Sequence, residues 1–203
     1  MTAWALAAGA VGVLVAWWAT AQPNRWGLEG SELPRWRGLL AVMAGAALSL
    51  GVALGHPAGA VAVWAAVLAA GADLVERVIP HRWLVVMLAA AVVRLATGTV
   101  AWEPDLLLAL GLGLFFLATY LLSRDGFGLG DVKLGVAMGL VLGWPAGFTG
   151  VVLGLLAGGI YGLGLVAARR ASFQDGIPLG PFLAVGLAAV VFLSLSAAPL
   201  PGH

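Results

Sequence analysis

Two aspartates stand out in this chain because so little around them is charged. Asp73 lies near the end of the apolar run AGAVAVWAAVLAAGADLVERVIP, and Asp131 opens another run in SRDGFGLGDVKLG, just behind Gly128 and Gly130. Asp, Glu, Lys and Arg together make up only 9% of the protein. A carboxylate set into apolar sequence is costly unless it is partnered or functional. Two such carboxyls side by side cannot both ionise cheaply, so one keeps a proton while the other is a base. A pair in that state can activate water and polarise a carbonyl. Taken singly, each acid could instead cap a helix end, Asp131 above all, since an acid is favourable at a helix N-terminus. Cysteine is absent, which removes disulfides, Cys-based zinc sites and thiol nucleophiles. His56, His81 and His203 are too scattered to suggest a metal site, and only His81 is near the acids.

The elements that position these acids follow from composition. Of 203 residues 62% are hydrophobic, and the mean hydropathy is +1.05. Soluble domains are about half apolar and about a quarter charged, so this is an integral membrane protein. Apolar segments recur at 2–20, 36–54, 58–74, 82–99, 104–122, 129–144, 147–168 and 180–198. Each is near the ~20 residues that cross a ~30 Å hydrocarbon core. The expected fold is all-α and polytopic, with about eight transmembrane helices. The ~10-residue alternating segments of a β-barrel are missing. The longest polar stretch, 22–37, is too short to fold alone. We therefore expect a two-helix region at 1–57 with a short cytoplasmic loop, and a membrane-embedded core at 58–203. The first segment begins MTAWALAAG without positive charge, and reads as a retained helix rather than a secretory signal. A net charge of +1 gives no support for nucleic-acid binding.

Charge sets the expected orientation. Arg25, Arg35, Arg37, Arg77, Arg82, Arg124, Lys133, Arg169 and Arg170 all fall on one side of an eight-helix topology, and the opposite loops carry no basic residue. The positive-inside rule makes the basic side cytoplasmic and places both termini outside. Arg94 is the tenth basic residue and lies within a segment, where snorkelling or pairing with Glu103 or Asp105 accounts for it. Counting inward from Pro57, Asp73 lies at a depth of about 24 Å; counting from Pro145, Asp131 lies at about 21 Å. Acids far apart in sequence thus reach one level, just beneath the cytoplasmic surface.

At these residues the chain resembles a known family. GLGDVKLG (128–135) is similar to the GxGD signature of the type IV prepilin peptidases, membrane-embedded aspartic proteases. Asp73, followed by Arg77 and then Ile79 and Pro80, resembles the family's first-aspartate motif. GIPLGPFLAVG (176–186) looks like its IPxGP segment before the last helix. The three motifs stand in order across roughly 58–198. The resemblance implies an aspartic endopeptidase that removes the leader of prepilins or pseudopilins at the cytoplasmic membrane face. It implies Asp73 and Asp131 as the catalytic pair and Gly128 and Gly130 as shaping the site. Lys133, Arg77, Ile79, Pro80, Pro178, Gly180 and Pro181 would support it. It further implies a bacterial plasma (inner) membrane setting, the lipid bilayer and a pilus or secretion assembly machinery as partners, and no cofactor or metal. Asp125 and Asp175 match no motif position and read as solvated loop acids.

Two departures bear on the expected activity. His81 follows Ile79-Pro80 where relatives commonly carry Asn or Asp, which could alter substrate contact. Many relatives insert a domain with paired CxxC motifs between the first two helices, associated with N-methylation of the product. Here that region is the cysteine-free loop 22–37, so N-methyltransferase activity is not expected. A proton- or ion-coupled transporter is the alternative that also uses intramembrane carboxylates, but it favours acids at the midplane. Presenilin-type GxGD proteases carry Tyr-Asp where this chain has Ala72-Asp73, and a Pro-Ala-Leu that it lacks.

Overall fold

Apolar runs of this length can satisfy their backbone polar groups in hydrocarbon by forming helices, and that is the architecture found. The computed structural model describes residues 2–21, 41, 43–46, 57–76, 79–97, 102–123, 127–170 and 177–196. Among these, the regular elements are all helices. In chain order they are α1 (Thr2–Ala21), α2 (Pro57–Glu76), α3 (His81–Thr97), α4 (Trp102–Leu122), α5 (Leu129–Leu142), α6 (Ala146–Ala167) and α7 (Gly180–Ser196). Each coincides with an expected apolar segment to within a few residues. The segment expected at 36–54 lies mostly outside the described residues, but residues 41 and 43–46 within it are helical.

Among the described residues, three helices are long and apolar enough to cross a bilayer by themselves: Pro57–Leu74 of α2, then α4 and α6. Shorter apolar helical stretches occur at Ala5–Trp17 and Gly180–Leu193. Burial separates the long three. Two-thirds of the α2 span (67%) is buried, against 22% for α4 and for α6. Thus α2 is the central helix, packed on α3, α5 and α7, while α4 and α6 flank α5. The outer faces of α4 and α6 expose Leu107, Leu110, Leu114, Leu156, Ile160 and Leu163. Such faces suit lipid and would be a liability in water.

Close packing follows from the small residues in the sequence. On α6, a methyl added at Gly154 would stand 2.8 Å from the Phe182 carbonyl oxygen and 2.9 Å from Leu183 Cα. Backbone of α6 therefore meets backbone of α7, the arrangement that small residues permit between membrane helices. Trp64 of α2 meets Trp83 of α3 edge to face at 5.6 Å. The Trp64 indole also donates to Gly12 O at 3.2 Å, tying α1 to the central helix.

Arg94 pairs with Asp105, one of the two partners expected for it, joining α3 to the first turn of α4. Its guanidinium also donates to Leu140 O at 3.2 Å, and Trp144 N–H donates to Asp105 Oδ1 at 2.7 Å. Gly143, at φ 70°, turns the chain against this pair; a methyl there would collide with both side chains. The end of α5 is thereby anchored to α3 and α4. That leaves its first turn, with Asp131, at the opposite end of the helix.

Candidate active site

Asp73 lies in the last turn of α2 and Asp131 in the first turn of α5, and both are buried. Asp73 is held from a third helix. Gly180, the first residue of α7, donates its N–H to Asp73 Oδ2 at 2.8 Å. First-turn N–H groups have no partner within their own helix, so a helix start is a ready donor to a carboxylate. Pro181 follows, and it suits this position because its missing N–H would have had no intrahelical partner. Gly180 must be small: a methyl there would stand 2.7 Å from Asp73 Oδ2 and 3.1 Å from its Cγ.

Asp131 is held within its own turn. Its Oδ2 accepts from Gly128 N–H at 3.2 Å, while its own N–H donates to Gly128 O at 3.1 Å. This is the reach-back of an acid in the third position of a helix to the residue that caps it. The second oxygen, Oδ1, is buried and has no hydrogen-bond partner within the described protein. A buried carboxylate oxygen left unpartnered is costly and calls for a functional explanation. The two acids lie at the same end of the bundle, because Ile79, six residues beyond Asp73, packs against Gly130, the neighbour of Asp131.

The remaining motif residues surround this pair unequally. Ile79 and Pro80 are buried in the turn between α2 and α3, and a methyl at Gly130 would stand 2.9 Å from Ile79 Cβ. Gly130 therefore needs its missing side chain to let the turn approach α5. Gly128 differs, since a methyl there would meet nothing closer than Asp131 Oδ2 at 3.6 Å, and the residue is exposed. Pro178 and Pro181 are half-buried on either side of Gly180. Lys133 is exposed, and its Nζ lies 2.7 Å from His81 Nε2. Arg77, Asp125 and Asp175 lie outside the described residues. Among the described residues no three His, Asp or Glu side chains converge as metal ligands would.

Two contacts were not specified by any local sequence pattern. Gly180 and Asp73 are 107 residues apart, and no local pattern specifies which carboxylate a helix start will meet. The His81–Lys133 contact spans 52 residues, and only the placement of both beside motif residues hinted at it.

Fold and site together define a helical, polytopic membrane protein with two buried acids, from different helices, at one end of the bundle. Residues 60–163 match the type IV leader peptidase family. That is half of the chain, and the protein belongs to this family. It is 39% identical over 72 residues to a prepilin leader peptidase/N-methyltransferase of Aeromonas salmonicida, covering 36% of this chain and 25% of the relative. A protein of the same name from Burkholderia pseudomallei is 39% identical over 79 residues, 39% of this chain and 26% of the relative. Another from Bacillus subtilis is 28% identical over 146 residues, 71% of this chain and 59% of the relative. The chain thus spans about a quarter of the length of the first two. No solved structure matches it.

Proposed function

We propose that this protein is a prepilin leader peptidase, with Asp73 and Asp131 as its catalytic pair. The observation that supports the reading is that two buried carboxyls, from α2 and α5, lie at one end of the bundle, with Asp131 Oδ1 unpartnered within the described protein. One carboxyl keeps a proton and the other is a base. The base takes a proton from water as the water oxygen bonds to the scissile carbonyl carbon, and the acid donates to the carbonyl oxygen. Collapse of this intermediate breaks the C–N bond, and the new amine leaves with a proton from the pair. Gly180 N–H holds Asp73 in register throughout. Both acids lie at helix ends rather than mid-helix, which favours a peptidase at one membrane face over a coupled transporter.

In this reading 58–203 is the peptidase core, and 1–57 is an N-terminal pair of helices. The protein sits in the bacterial inner membrane with its site toward the cytoplasm and both termini outside. Its substrates are prepilins or pseudopilins, delivered to pilus or secretion assembly machinery. The relatives' names include N-methyltransferase; for this chain we propose cleavage alone, because loop 22–37 has too few apolar residues to enclose a methyl donor. The test is co-expression with prepilins followed by mass spectrometry of the products. Leader loss without addition of a methyl group is expected, and intact prepilins throughout would reject the proposal.

A further inference from the structure

Just beyond the helix of Asp73, Ile79 and His81 touch the first turn of α5 at two points. Ile79 occupies the space that a side chain at Gly130 would need. Next along the turn, the first residue of α3, His81, brings Nε2 within 2.7 Å of Lys133 Nζ. An ammonium carries donors and no acceptor, so Lys133 donates and His81 Nε2 accepts. Gly130 and Lys133 stand on either side of Asp131 in sequence. Both contacts therefore grip the turn that presents this acid, from the segment just beyond the other.

The first turn of α5 needs such a grip. It follows Gly128 and contains Gly130, and glycine leaves backbone freer than any other residue. The hydrogen bond that Asp131 makes to Gly128 is internal to the turn and moves with it. His81 and Lys133 are both exposed, so their contact adds little to overall stability. Its effect falls on geometry. We propose that His81 is a positioning residue for the aspartate pair. Through Lys133, and alongside the Ile79–Gly130 contact, it clamps the first turn of α5 to the α2–α3 turn and holds Asp131 at a fixed spacing from Asp73.

The rate readout of this clamp rests on the peptidase reading, so the experiment carries a second readout that does not. The full chain is reconstituted in lipid nanodiscs and given a recombinant prepilin that retains its leader. For His81→Ala, kcat should fall roughly fivefold at unchanged KM, the size expected for one hydrogen bond acting only on geometry. His81→Gln keeps an acceptor and should recover most of that loss. Combining His81→Ala with Lys133→Met should be no slower than the slower single variant, because both remove one contact. In parallel, amide hydrogen exchange over 129–133 should speed up in His81→Ala and return toward wild type in His81→Gln. If the wild-type protein leaves the prepilin uncut, the peptidase reading fails and exchange alone decides the clamp. Unchanged exchange in His81→Ala would overturn it, as would equal rate losses for Ala and Gln or additive losses in the double variant.

Discussion

Gly180 reaches Asp73 from the start of a different helix, whereas Gly128 serves Asp131 from within one turn. The two glycines therefore carry different loads although both belong to motif segments. A methyl at Gly180 meets the Asp73 carboxyl at 2.7 Å, and one at Gly128 meets nothing within 3.5 Å. Displacing a reacting group by a fraction of an ångström is costly in rate, so Gly180→Ala should lower kcat for leader removal by about tenfold or more. Gly128→Ala should cost far less. Equal losses in a kinetic comparison of the two would contradict this division. At this scale the sequence singled out Asp73 and Asp131 as candidates, because a charge in an apolar run is visible without a structure. It did not reveal their hydrogen-bond partners, since those depend on how helices distant in sequence align.

Helices were legible because hydropathy and length are local properties, and every described helix falls on an expected apolar segment. Ends were less so: α5 stops at Leu142 rather than 144, where Gly143 takes positive φ beside the Arg94–Asp105 pair. That pair was foreseeable because its members lie 11 residues apart across a short connection. Removing one member leaves the other charge buried, so Arg94→Leu should destabilise the protein by about 3 kcal/mol. The double replacement Arg94→Leu, Asp105→Leu should cost less, and thermal unfolding in detergent would compare them. The α6–α7 contact makes a second test. Gly154→Val places side chain against the backbone of α7 and should cost roughly 1–3 kcal/mol. Gly164→Ala, where a methyl has open space, should be neutral or slightly stabilising. Similar unfolding temperatures for the two variants would argue against backbone contact between these helices.

Over the whole molecule, the one-sided distribution of basic residues underlies the proposed eight-span topology. Reporter fusions after residues 28, 77, 125 and 172 should all report cytoplasm. A cytoplasmic readout for the C-terminal tail would contradict the eight-span arrangement. On the proposed function, Asp73 and Asp131 act as one catalytic unit. Asn nearly matches Asp in shape but cannot titrate, so Asp73→Asn, Asp131→Asn and the double variant test it directly. All three should be present in the membrane, since a neutral amide is cheaper there than a charge. Leader removal from a co-expressed prepilin should be abolished equally in each, because members of a catalytic unit are non-additive, while Asp125→Asn keeps substantial activity. Robust cleavage by either single motif variant would contradict the account.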